Sequence, residues 1–150
     1  MTHLEYRQLL DFLSSHPHED IADIGGDPAL EVGDLDNLFK RTIYGLTSGL
    51  DICLTPLPRT HETILGLDVF EHIVDPVRAA ENIVKSLTGW LMITTLFVFH
   101  KHDYPVDMYR YTDTALSWLF RDLKIERCWF DSEPESAIHG GTRVTLVGRR

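Results

Sequence analysis

The chain has 150 residues and carries 23 acidic against 14 basic side chains, a formal net charge of −9. That balance repels phosphate backbones and anionic headgroups, which argues against nucleic acid and membrane surfaces as primary partners. With 43% hydrophobic and 25% charged residues, the composition is that of an ordinary globular chain, and the length suits a single domain over residues 1–150.

The opening "THLE" matches a capping box, with Thr2 as cap and Glu5 three residues on. Tyr6, Leu9, Leu10 and Leu13 follow at helical spacing, and Pro17 ends the pattern. "IADIGG" reads as a strand running into a tight turn. "DPALEVGDLDNLF" has room for one short helix. "RTIYGL" and "LDICL" are short strand candidates, and "ETILGLDVF" is a stronger one. "DPVRAAENIVKSL" is the clearest helix, with Asp75 as cap, Pro76 in the first turn, and Val77, Ala80, Ile83, Val84 and Leu87 on one apolar face. "GWLMITTLFVF" is nearly continuous in apolar residues, as expected of a strand buried on both faces. "TDTALSWLFRDL" follows as an amphipathic helix, with Thr112 as cap and Leu116, Leu119, Phe120 and Leu123 inward. "KIERCWF" and "TRVTLVGRR" alternate and close the chain as strands. Trp90, Trp118 and Trp129 are expected in the core.

This order predicts an α/β fold: a Rossmann-like, mostly parallel sheet with helices on both faces and an antiparallel C-terminal hairpin. In such sheets ligands bind beyond the carboxyl ends of the strands. The groups after "IADIGG", "ETILGLDVF" and "TTLFVF" are therefore expected to converge on one crevice. Cys53 and Cys128 lack metal-ligand spacing and read as free thiols. The N-terminal pattern carries charges unlike a signal peptide, and the longest apolar run is too short to span a bilayer, so a cytoplasmic location is expected.

Polar and ionisable groups concentrate in "FHKHDYPVDMYRYT". His100 and His102 at i, i+2 on a strand would point the same way, as metal ligands do, but no further ligands are evident and no metal is predicted. Arg110 either pairs with Asp107 and fixes the loop or binds an anionic substrate. Asp68, Glu71 and His72 in "DVFEHI" either cap the next helix or form a polar cluster at the crevice mouth. His72 and His102 are candidate general bases.

The stretch from "GLDVFEHIVDP" through "HDYPVDMYRYTDTALSWLF" resembles the second half of class I S-adenosylmethionine-dependent methyltransferases of the small-molecule type. "HDYPVDMYRYT" is similar to a His-x-Tyr-Pro-x-Asp-x-x-Arg-aromatic-Thr pattern in a subgroup linked to cell-surface polysaccharide and sugar pathways. The resemblance implies S-adenosylmethionine as cofactor, held by Asp23, Gly25 and Gly26 at the first turn, with Asp51 and Asp68 as further cofactor-binding acids. It implies a substrate-side loop, with acceptor binding by Tyr104, Asp107 and Arg110 and with His102 as a catalytic base; His72 joins it as a catalytic candidate on its imidazole chemistry. The first half departs from the family pattern: Asp27-Pro28 follows the double glycine, Thr47 stands where an acid usually holds the ribose, and Thr55 stands at a second acid position. Two functions are expected from this. One is methylation of a small-molecule hydroxyl, such as a sugar or polysaccharide precursor. The other is a catalytically inactive, methyltransferase-like binding module. A shortened first half also makes a homodimer an expected partnership.

Overall fold

The computed structural model describes residues 3–16, 18–26, 40–45, 48–102, 106–130 and 142–150, the side chains of residues 3–6 excepted. The Thr2 cap, the "DPALEVGDLDNLF" helix, Asp27, Pro28, Thr47, Asp103 and Tyr104 lie outside the described residues.

The elements run α1 (His3–Ser15), β1 (Ile21–Ile24), β2 (Arg41–Tyr44), β3 (His61–Leu67), a 3-10 turn (Phe70–His72), α2 (Pro76–Ser86), β4 (Leu87–Val98), α3 (Asp113–Leu119), β5 (Lys124–Phe130) and β6 (Thr142–Arg149). They build a six-stranded sheet in the order β2-β1-β3-β4-β6-β5. Strands β2, β1, β3 and β4 are parallel neighbours. Strand β6 is antiparallel to both β4 and β5, so the expected hairpin is present with its second strand inside the sheet. The parallel order reverses direction at β1, with β2 on one side and β3 on the other. In open α/β sheets ligands bind beyond the strand tips at such a switch, and β1 and β3 end there.

Side chains alternate across the sheet, and each face has its own core. Ala22, Ile24, Ile64, Leu91, Ile93, Val144 and Leu146 face α2 and α3, which contribute Ala79, Ala80, Ile83 and Leu116. Ile21, Leu65 and Met92 face Leu9, Phe12 and Leu13 of α1. Strand β4 is buried without interruption from Leu91 to Leu96, as its apolar run requires.

The caps read from sequence are made. The Asp75 carboxylate accepts from the Arg78 N–H at 3.1 Å, with Pro76 opening α2. The Thr112 hydroxyl accepts from the Ala115 N–H at 3.1 Å. Some details differ. "LDICL" forms turns rather than a strand, because the Asp51 carboxylate accepts from the Cys53 N–H and closes a local turn. Two polar residues of α2 point inward to pin this stretch. Asn82 Nδ2 donates to the Ile52 carbonyl at 2.8 Å, and the Leu57 N–H donates to Ser86 Oγ at 2.9 Å. The buried face of α2 thus includes Ala79, Asn82 and Ser86, while Val77 is exposed. Trp118 is exposed at 53%, its ring covered by the Arg121 guanidinium, and Trp90 and Trp129 are half-buried. Cys53 and Cys128 are both free thiols. Among the described residues no helix is long and apolar enough to cross a membrane.

Candidate functional site

The first strand tip is built by two glycines. Gly25 has φ +78°, a left-handed conformation that L side chains seldom adopt, and it is exposed. A Cβ on Gly25 would lie 2.5 Å from Val69 Cγ2, and one on Gly26 would lie 2.5 Å from Asp23 Oδ2. The turn is therefore glycine partly because neighbouring side chains occupy those directions. The Gly25 N–H donates to the Tyr44 carbonyl at 2.7 Å, tying β1 to β2. Asp23 is 2% exposed, and its carboxylate accepts from the Arg41 guanidinium at 2.6 Å. We expect Gly25→Ala to destabilise the fold by about 2 kcal/mol, from the left-handed backbone and the Val69 clash together. In a Val69→Ala background the cost should fall toward that of the backbone alone. Chemical denaturation of the two pairs checks this.

The second tip follows β3. Among the described residues Asp68 is the non-glycine residue with positive φ, at +51°, a conformation Asp tolerates better than most. Its backbone N–H donates to the Thr94 carbonyl at 3.0 Å, and its carboxylate pairs with Arg143 of β6 at 3.0 Å. Glu71 comes next on the 3-10 turn and is 1% exposed. The Thr95 hydroxyl donates to Glu71 Oε2 at 2.9 Å, while Oε1 is buried without a hydrogen-bond partner among the described residues. Burial, reinforced by the Asp68 charge, pushes the Glu71 carboxyl up to about 7.

The third tip follows β4. That strand ends at Val98, so His100 and His102 do not share a strand face, and the metal arrangement is not formed. His100 is exposed and stacks on Phe99, with ring centroids 4.2 Å apart. His102 turns to His72 instead: their Nε2 atoms lie 3.4 Å apart and their rings meet edge to face at 4.9 Å. His102 Nδ1 lies 3.4 Å from Asp107 Oδ2, within ion-pair reach, and the His102 backbone N–H donates to the same oxygen at 3.0 Å. Arg110 grips both Asp107 oxygens, with Nη2 to Oδ2 at 2.7 Å. That guanidinium holds the Asp107 carboxyl well below the usual carboxylate range. Of the two roles read for Arg110, the clamp is the one formed here. Among the described residues no group of three His, Cys, Asp or Glu side chains is arranged to hold a metal ion.

The 106–111 segment is fastened to the turn after β3 throughout its length. His72 Nδ1 donates to the Val106 carbonyl. The Met108 N–H donates to the Glu71 carbonyl at 2.8 Å, Tyr109 Oη to the Val74 carbonyl at 3.3 Å, and Tyr111 Oη to the Phe70 carbonyl at 3.3 Å. Because the Val106 carbonyl only accepts, the His72 proton sits on Nδ1, and neutral His72 presents its Nε2 lone pair to His102.

Asp68, Glu71, His72, His102, Asp107 and Arg110 thus form one group across two strand tips. Gly25 adjoins the turn after β3 through Val69 and Gly26 lies against Asp23, whereas Asp51 caps its own turn. Arg41 and Arg143 complete the acids at the tips. Sequence reasoning did not find them, since each lies on a strand whose neighbour is fixed only by the sheet order.

No protein-family model matches the chain, and no curated protein matches its sequence. The fold does match solved structures. Magnesium protoporphyrin IX methyltransferase (ChlM) from Synechocystis PCC 6803, with bound SAH, superposes with a TM-score of 0.71 at 13% identity over 98% of this chain and 82% of that one. The N-methyltransferase NodS from Bradyrhizobium japonicum WM9 gives 0.67 at 16% identity, covering 98% and 94%. A sarcosine dimethylglycine methyltransferase from Galdieria sulphuraria, named in its structure as putative, gives 0.68 at 13%, covering 97% and 85%. The chain has the class I methyltransferase fold in a reduced, Rossmann-like form.

Proposed function

We propose that the protein is an S-adenosylmethionine-dependent methyltransferase acting on a small-molecule hydroxyl. The observation that carries this reading is the convergence of a histidine pair, backed by Asp107 and Arg110, on the strand tips beside the exposed Gly25 turn. The cofactor would supply a methyl group already activated on a sulfonium, so the chain itself must align the acceptor and remove one proton. Gly25 and Gly26 offer backbone at the switch point, and Asp68 is an acid at the adjoining tip, its carboxylate held by Arg143. His72 and His102 supply imidazole nitrogen for the proton, and the Asp107 carboxylate stabilises positive charge arriving on His102. Arg110 holds Asp107 in place. The acceptor would lie against the 106–111 segment, with Tyr104 a further acceptor contact that the motif resemblance implies. Fold neighbours that methylate a porphyrin, a nitrogen or an amino acid show how widely acceptors vary on this fold.

In His102→Asn we expect kcat for methyl transfer to fall by about a hundredfold, the lower range for a positioned base, with S-adenosylmethionine affinity within about twofold of wild type. Single-turnover transfer from radiolabelled cofactor, beside calorimetric titration, measures both. An equal loss of cofactor affinity would contradict the assignment.

One observation favours a second reading, an inactive methyltransferase-like module. Four groups assigned to the cofactor are engaged internally: the Gly25 N–H on Tyr44, the Asp23 carboxylate on Arg41, the Asp51 carboxylate on its own turn, and the Asp68 carboxylate on Arg143. Calorimetry with S-adenosylhomocysteine separates the two readings, because an absence of binding at millimolar ligand selects the module.

A further inference from the structure

The site carries an apolar rim that the hydroxyl reading does not use. Val74, Val106, Met108 and Tyr109 are exposed at 65%, 39%, 44% and 37%. They are not scattered. The Val106 carbonyl is the acceptor for His72, the Met108 and Tyr109 N–H groups both donate to the Glu71 carbonyl, and Tyr109 Oη donates to the Val74 carbonyl. The hydrogen bonds that dock the 106–111 segment on the turn after β3 therefore bring these four residues close to His72. A sugar ring, hydroxylated on every side, would leave most of its polar groups facing Val, Met and Tyr carbon. A flat apolar body would cover that carbon, and methionine and tyrosine both favour contact with an aromatic ring.

The chemistry of the base narrows the acceptor further. Imidazole bases titrate near about 6.5 in model compounds and phenols near about 10, a gap that a positioned base bridges within a transition state. An aliphatic hydroxyl resembles water, near about 15.7, so its proton lies much farther from the reach of an imidazole base.

Resting on the methyltransferase reading above, we infer that the acceptor is a phenol, its ring seated on Val74, Val106, Met108 and Tyr109 and its oxygen directed to the His72–His102 pair. In the step, the phenolic O–H proton passes to an imidazole nitrogen of the pair. The phenolate oxygen forms the new O–CH3 bond as the S–CH3 bond breaks, and the electron pair of that bond stays on sulfur, leaving the neutral thioether. Asp107 balances the imidazolium until the proton leaves to water.

The experiment supplies the full chain with radiolabelled S-adenosylmethionine and three acceptor sets: phenols of graded acidity, cyclohexanol as the apolar aliphatic match, and a methyl glycoside. The expected result is transfer to phenols with kcat/KM at least about tenfold above the other two sets, the discrimination one apolar pocket supports. Met108→Ser should raise KM for phenols with kcat nearly unchanged, and Met108→Leu should restore it. The His102→Asn defect should shrink as the phenol becomes more acidic, which a merely structural role would not produce. Transfer to the glycoside or cyclohexanol in preference to phenols would overturn the inference and leave the methyltransferase reading intact. So would a His102→Asn defect independent of phenol acidity. Failure to bind S-adenosylmethionine by calorimetry would overturn both.

Discussion

Phe70→Ala should cost about 3–5 kcal/mol of stability, the range for removing a fully buried aromatic ring. Phe70 is 0% exposed on the 3-10 turn between β3 and α2. Its ring meets Phe120 edge to face at 5.4 Å and Tyr111 at 6.3 Å, and its carbonyl accepts the Tyr111 hydroxyl. The residue thus joins three parts of the molecule: the turn that presents Glu71 and His72, the end of α3, and the end of the 106–111 segment. Removing the ring opens a cavity in the core cluster that also holds Ile83, Leu116 and Phe120, and forfeits two aromatic contacts of about 0.5–1.5 kcal/mol each. Since whole domains are stable by only about 5–15 kcal/mol, this one change should move the urea midpoint far while leaving the slope unchanged. Phe70→Leu should recover more than half of the loss. A loss below about 1 kcal/mol in Phe70→Ala would show that the turn is not seated in the core as described. His72 would then have no fixed direction.

The elements most legible in the sequence were those with a local physical signature. The β4 run was continuous in apolar residues because both of its faces are covered. The starts of α2 and α3 were legible because Asp75 and Thr112 satisfy N–H groups three residues away, within the reach of a sequence window. The sheet class followed from the alternation of these elements, and the comparison with solved structures bears it out. What was not legible depends on contacts between distant residues. Trp118 reads as core by composition, yet α3 turns it outward because Leu116 and Phe120 already fill the inner side. Val77 lost its inward place because Asn82 and Ser86 are drawn inward to hold the 51–57 stretch. The pairing of His102 with His72 spans 30 positions and that of Asp68 with Arg143 spans 75. No periodicity carries either one. His72 and His102 were each named as bases from side-chain chemistry, but their meeting required β3 and β4 to end side by side.

Glu71 gives the site a pH dependence whose sign is opposite to that of most carboxylates. Its carboxyl is raised from 4.5 to about 7 by burial and by Asp68. Between those values the folded chain keeps a proton that the unfolded chain has lost, so stability falls as pH rises. The contribution is fully present below about pH 4.5 and gone above about pH 7. At roughly 1.4 kcal/mol per pKa unit, it amounts to about 3 kcal/mol. Asp20, Asp107 and Glu126, all lowered by arginine or lysine partners, act in the other direction and lose their stabilisation as pH falls through the acid range. Glu71→Gln isolates the first effect, because the amide copies the neutral carboxyl and its oxygen still accepts from Thr95. The two proteins should differ little in stability at pH 4, and the variant should be more stable by about 3 kcal/mol at pH 8, measured by urea unfolding at matched ionic strength. The variant also keeps the backbone carbonyl that holds Met108 and Tyr109, so the 106–111 segment stays docked and His72 keeps its Val106 partner. Its histidine pair should then lose one negative neighbour at neutral pH without moving. A stability difference that is constant from pH 4 to pH 8 would mean that Glu71 ionises in the fold as freely as in the open chain. Water would then reach Oε1, and the tip of β3 would be open where the structure closes it.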